Sequence, residues 1–253
     1  MRDSAASGGF DESSFAHLPL AEEASFWFRS RNSLIVWALR RYFPNAQSML
    51  EVGCGTGFVL AGVRNAFPHM RLVGGELLQA GLAVAAQRVP DAELLELDAR
   101  KLPFEAEFDV VGAFDVLEHI EEDETALLEM HAALRPGGGL VVTVPQHPAL
   151  WSAVDEYSRH VRRYRRTELL TNLRDSGFEV IHWTSFVSLL LPVLALSRLR
   201  FRGKKDFDPL SEYRAPPFVD SAFGWVLTAE RALIRCGLSL PAGGSLLAVA
   251  KRP

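Results

Sequence analysis

Cysteine is almost missing from this 253-residue chain, with only Cys54 and Cys236, so no disulfide framework is indicated and a reducing, cytoplasmic setting is the expectation. Basic charge is not in excess either. The 27 Lys and Arg stand against 31 Asp and Glu, a formal charge of −4, which argues against general binding to nucleic acid. A spanning helix needs ~20 apolar residues in a row, and the most apolar stretch, within 183–196, falls short of that. Met1–Ala24 shows neither the basic start nor the apolar core of a secretory signal, so residues 1–24 read as a mobile tail ahead of a main domain over 25–253. Acids and Asn at metal-ligand spacing do not stand out, so no metal is expected. With 48% hydrophobic and 23% charged residues, the chain can bury one full core.

What is present is concentrated at 50–57, Leu50-Glu51-Val52-Gly53-Cys54-Gly55-Thr56-Gly57. An apolar strand before it and the apolar run from Phe58 after it make a strand, a glycine turn and a helix. Gly53, Gly55 and Gly57 supply positive φ and bare backbone, and the helix start aims unpaired N–H groups at the loop. A dinucleotide fingerprint wants its third glycine at 58, where Phe58 stands, and Glu51 would repel a pyrophosphate. The carboxylate of Glu51 suits an ammonium instead. The next strand ends in Glu76, about 20 residues beyond the loop, the distance at which an acid takes the two hydroxyls of a ribose. A third strand ends in Asp98, placed to accept from an adenine amino group, and a fourth, Phe108–Phe114, ends in Asp115.

These motifs, in this order, resemble the class I S-adenosylmethionine-dependent methyltransferases of the group acting on small molecules, lipids and quinone-like acceptors. The resemblance covers roughly residues 25–180 and the last strand. It implies that Glu51, Gly53, Cys54, Gly55 and Gly57 hold the methionine end of S-adenosylmethionine, that Glu76 holds the ribose, and that Leu77 lies against the adenine. It implies further that Asp98 reads the adenine amino group beside Ala99, and that Phe114 and Asp115 open the loop 114–120 passing under the sulfonium. An NAD(P)-dependent reductase is the rival reading, opposed by Phe58 and by the lack of a Tyr-x-x-x-Lys pair. A scaffold that keeps the cofactor site without turnover is another. Cys54 reads as a small space-filling residue, since no partner base accompanies it, and Cys236 as a helix-face residue.

Alternating strands and helices predict an α/β, Rossmann-like sheet of seven strands, mainly parallel with an antiparallel last strand at 245–250 and helices on both faces. Helices are expected at 58–67, 78–88, 122–134 and 167–176, the third ended by Gly137. An earlier amphipathic helix runs from Phe26 to Tyr42. The loop 146–166 is long enough to cover a site. It carries five arginines in eight residues, and Trp151, Tyr157, Arg162, Arg163 and Tyr164 are the candidates to bind an anionic acceptor. The pairing of those arginines with Asp155 and Glu156 is the plain alternative. Residues 188–240 form a helical insertion between the sixth and seventh strands, with a second helix from Phe218 to Ile234 capped by Asp220. The apolar, basic-ended segment 186–205 suits a lid, a contact with an anionic membrane surface, or simple packing. For chemistry, His119 and His160 are the candidate bases. The expected reaction moves a methyl group from S-adenosylmethionine to an O or N atom of a small or lipid-like, anionic acceptor.

Overall fold

The computed structural model describes residues 15, 18–201 and 216–253. Its strands are β1 (Ser48–Val52), β2 (Arg71–Glu76), β3 (Glu93–Glu96), β4 (Phe108–Phe114), β5 (Leu134–Pro145), β6 (Glu179–Phe186) and β7 (Ser245–Lys251). The helices among the described residues are α1 (Leu18–Ala24), α2 (Phe26–Tyr42), α3 (Phe58–Ala66), α4 (Gln79–Arg88), α5 (Asp123–Ala133), α6 (Ala153–Tyr157), α7 (Arg166–Asp175), α8 (Leu191–Phe201) and α9 (Pro217–Arg235). The sheet order is β3-β2-β1-β4-β5-β7-β6. β7 runs antiparallel to both neighbours, and the other pairs are parallel. Strand order reverses between β1 and β4, and in such sheets the crevice at that point takes the ligand.

The sheet is covered on both faces because its strands are apolar on both. Leu50, Val111, Leu140 and Val142 pack with Leu127 and Met130 of α5 and with Leu169 and Leu173 of α7. Met49, Val110, Val141 and Val249 pack with Leu34, Ile35 and Leu39 of α2 and with Val59 and Leu60 of α3. Apart from α2, which precedes β1, these covering helices follow strands of the sheet in sequence.

Three details depart from the sequence reading. Residues 18–24, assigned to a mobile tail, form α1, which buries Ala21 and Glu22; Phe15 is also buried, and the rest of the expected tail lies outside the described residues. Helix α5 ends at Ala133 and not at Gly137, because Leu134 already pairs with Phe108 in the sheet; Gly137, at φ +80°, then makes a turn whose N–H donates to Arg252 O. Asp220 does not cap its own helix. Its carboxylate crosses to α2, accepting from Phe26 N at 2.6 Å and pairing with Arg29, and so supplies a missing partner at that helix's N-terminus. The basic end of the apolar segment, residues 202–205, lies outside the described residues.

The insertion is present as α8 and α9 between β6 and β7. Phe26 and Phe223 meet edge to face at 5.4 Å, fastening α9 to α2. The buried carboxylate of Glu230 accepts from Val187, Ser188 and Leu189 N at 2.6–2.8 Å, which ties α9 to the turn leading into α8. No helix among the described residues is long and apolar enough to cross a membrane.

Candidate active site

The glycine turn connects β1 to α3. Gly53 has φ +71° and Gly57 φ +73°, a region where a Cβ is disfavoured. At Gly53 a Cβ would also stand 2.4 Å from a methyl of Val116, so this loop and the one after β4 come as close as bare backbone allows. Gly53 N and Cys54 N both donate to Gly75 O, at 2.8 and 2.9 Å, locking the turn against the end of β2. The Glu76 carboxylate accepts from Gly55 N and Leu78 N at 3.0 Å each. Cys54 is packed in the core beside Gly74, and burial pushes its thiol up, away from the thiolate a nucleophile needs.

Glu51 is the penultimate residue of the buried β1 strand, and its Oε2 has no hydrogen-bond partner. Burial, with Glu22 and Glu76 adding to it against Arg31, raises its carboxyl well above 4.5. Burial likewise raises Glu76, against its backbone donors.

Several residues absent from the sequence reading complete this region. Arg31 of α2 is buried, stacks over Trp27 and Phe28 at 4.8 and 5.5 Å, and pairs with Asp115; its Nε has no partner. Glu22 accepts from Thr56 Oγ1 at 2.6 Å and from Arg88 at 2.6 Å, so α1 closes onto the glycine turn. Phe15 approaches Gly81 at the start of α4, beside Glu76. The aromatic opening Phe26-Trp27-Phe28 hinted at the role of α2, but contacts from residues 31 to 115 and 22 to 56 have no local signature.

Other predicted positions are placed as follows. Leu77 is on the rim, 36% exposed, and Ala99 is buried. Asp98 is tied to Arg100, which donates from its backbone N at 2.9 Å and its guanidinium at 2.8 Å; those bonds hold the carboxyl below its usual range. Phe114 is buried at the end of β4, and Asp115 follows with φ +58°.

The loop 146–166 folds over the carboxyl ends of β4 and β5, and here the acceptor expectation needs correction. Tyr164 is fully buried, its hydroxyl donating to Asp123 Oδ2 at 2.6 Å and to Leu117 O at 3.2 Å. Arg162 pairs with Asp123 at 2.5 Å and donates to Glu121 O. Arg163 is buried against Asp155 at 2.7 Å and also donates to Gln146 O. These three side chains latch the loop to α5 and α6, and the guanidinium groups of Arg162 and Arg163 are taken up by Asp123 and Asp155. Trp151 is half-buried and Tyr157 is 41% exposed.

The latch brings the two histidines together. His119 and His160 meet edge to face, ring centroids 4.7 Å apart. Burial pushes the His119 imidazole down to about 3, with His160 pushing the same way. That is a poor match for a base working near neutrality. His160 Nδ1 lies 2.9 Å from Asp155 Oδ1. The Asp155 carboxyl is held at about 2: burial would raise it, but the bonds from His160 and Arg163 outweigh that.

A crevice at the switch point, an unpaired acid beside a glycine cradle, and an acid at the end of β2 agree with what similarity shows. Residues 50–142 match the methyltransferase domain family. That stretch is a methyltransferase domain of the kind found in S-adenosylmethionine-dependent methyltransferases. Over 171 residues it is 28% identical to a probable S-adenosylmethionine-dependent methyltransferase of Mycolicibacterium smegmatis, covering 64% of this chain and 63% of that one. Over 106 residues it is 32% identical to trans-aconitate 2-methyltransferase of Variovorax paradoxus, covering 41% and 40%. The chain thus spans less than two thirds of either relative. Among solved structures, phosphoethanolamine N-methyltransferase 2 of Haemonchus contortus with S-adenosyl-L-methionine matches at a TM-score of 0.58 and 21% identity, over 87% of this chain and 52% of that one, a likeness of fold. In this chain the matched segment runs from within β1, through the glycine turn, into β5.

Proposed function

We propose that the protein transfers the methyl group of S-adenosylmethionine to an O or N atom of a small or lipid-like, anionic acceptor. The observation that carries this is the buried Glu51 oxygen without a donor beside a glycine cradle. An ammonium supplies the missing donor. Gly55, where a Cβ would meet nothing within 4 Å, leaves open space for the ligand to approach the backbone. The unpartnered Nε of Arg31 suits the amino-acid carboxylate, and Glu76, with two acceptor sites beyond its backbone bonds, suits the ribose hydroxyls. Leu77, Asp98 and Ala99 would border the adenine. The cofactor supplies an activated methyl on a sulfonium. The protein supplies position and dryness, since charge is dispersed as the methyl moves. Phe15 and α1 close onto the glycine turn and α4, and Trp151 and Tyr157 are the candidates to meet the acceptor. The names of relatives, aconitate among them, support a small acidic acceptor.

Calorimetry with S-adenosylhomocysteine should show saturable heat, and NAD should show none. The reverse pattern ends the proposal. The same titration carries a pH signature. Because the folded Glu51 carboxyl lies above 4.5, the ligand-free fold loses stability as pH rises from about 4.5 toward the raised value, the unfolded chain releasing that proton first. An ammonium ligand prefers the carboxylate, so binding releases a proton and affinity rises with pH over this window. Titrations in two buffers of different ionisation enthalpy measure that proton.

A peripheral membrane contact through 186–205 belongs to the same reading. Leu189, Val193 and Leu196, each 48–67% exposed, are the apolar residues that would enter the bilayer surface. Sedimentation with anionic liposomes should carry the protein down, and should fail for Val193→Ser with Leu196→Ser. Absence of the wild-type protein from the pellet removes the membrane part.

A further inference from the structure

We propose that Glu118, His119 and His160 form a binding site for one divalent first-row transition ion, with coordination positions left open toward the acceptor. The sequence reading expected no metal, because the third residue arrives from 41 positions away, on the loop latched down after β5. In the folded chain one ligand atom from each of the three lies within 4.8 Å of the others. His160 Nε2 stands 4.0 Å from Glu118 Oε1, close to the roughly 3–4 Å between two ligands of an ion bound at ~2.0–2.2 Å.

Two separate observations point to a ligand here. Glu118 is wholly buried, and neither of its oxygens has a hydrogen-bond donor. A carboxylate in that position needs a proton, an ion pair or a metal. The nearest cations are already committed, Arg31 to Asp115 and Arg163 to Asp155, while the charge of Asp115 works against a bare Glu118. The second observation is on His160. Its Nδ1 is held by Asp155, itself fixed by Ser152 N at 2.8 Å and Arg163, and this turns Nε2 toward Glu118. A carboxylate behind an imidazole whose other nitrogen faces an acid is the outer support that metal-binding histidines use. Two imidazoles and one carboxylate suit zinc, iron, cobalt or manganese and leave room for further ligands.

This deepens the proposed transfer, and only its acceptor half rests on that reading. The acceptor class is a molecule with two neighbouring oxygens, a hydroxyl next to a carboxylate or to a second hydroxyl, which can occupy two open positions. The bound hydroxyl loses its proton to solvent. Its oxygen forms the new bond to the methyl carbon as the carbon–sulfur bond breaks, and the electron pair of that bond stays on sulfur. His119 and His160 then serve as ligands, and no base of ordinary imidazole strength is required.

The test is a titration of chelator-treated protein with Co²⁺ alone, followed by visible absorption and calorimetry. The expected result is one ion per chain with a ligand-field band, and binding at least tenfold weaker in Glu118→Gln and in His160→Asn. Affinity for S-adenosylhomocysteine should stay within about threefold in both variants. No Co²⁺ binding to the wild type, or equal binding by the two variants, overturns the site. If melting curves show that Glu118→Gln is unfolded, the wild-type titration and His160→Asn still give the answer. A wild type that binds Co²⁺ but not S-adenosylhomocysteine sinks the transfer reading and leaves the ion site standing.

Discussion

Replacing Glu76 by alanine should weaken S-adenosylhomocysteine binding by about two to four orders of magnitude. The carboxylate stands at the end of β2, and each charged hydrogen bond to a ribose hydroxyl is worth about 1.5–3 kcal/mol, so losing two costs about 3–6 kcal/mol. At 1.4 kcal/mol per factor of ten, that is the range stated. A further loss comes from the turn itself, because Gly55 N and Leu78 N, each 3.0 Å from the carboxylate, lose their acceptor and the glycine loop loses one of its anchors. Glu76→Gln should fall between the two, keeping shape and one acceptor. Calorimetry at fixed pH measures all three proteins. An alanine variant that binds within fivefold of wild type would mean that the ribose is held elsewhere.

The second large effect is on stability, and its target is Asp155. This fully buried acid accepts from Ser152 N at 2.8 Å, Arg163 Nε at 2.7 Å and His160 Nδ1 at 2.9 Å. Asp155→Ala leaves the Arg163 guanidinium buried without its counter-charge, and breaking a buried pair from one side costs about 3–5 kcal/mol. For a domain of this size each kcal/mol moves the midpoint by roughly 2–4 °C, so thermal unfolding should begin about 6–20 °C lower. The pH dependence has a definite sign. Because the folded carboxyl is held at about 2, below its ordinary 3.8, its contribution is full above 3.8 and is lost as pH falls toward 2. Calorimetric melts between pH 3 and 7 should show the two proteins converging at the acid end. A midpoint lowered by less than about 3 °C would show that the latch is held by Asp123 alone.

The arginines of 159–166 show why one-dimensional reading misjudged that loop. Five guanidinium groups in eight residues advertise an anion site; the alternative of pairing with Asp155 is what Arg163 does, while Asp123, the partner of Arg162, lies 39 residues away and has no local signature. Tyr164 looked like a ligand-side aromatic because its neighbours are charged, yet it is among the largest fully buried side chains. Asp220 was misread for a related reason. It sits in the first turn of α9, where a local cap would be sought, while its actual donor, Phe26 N, is 194 residues away. Asp98 stands where expected, but with Arg100 two residues on as its partner.

Chain-local patterns were enough for a seven-stranded, mainly parallel sheet with an antiparallel last strand, for the glycine turn and for the acids at strand ends. Each of these depends on the alternation of apolar and polar residues, on positive φ, and on the fixed rise of strands and helices, all carried by neighbours in sequence. Only the folded molecule could assign the partners of Glu22, Arg31, Glu118 and Asp220. A charged side chain gains by burial only where an opposite charge or a ligand meets it, and the chain brings those partners together across 34 to 194 residues.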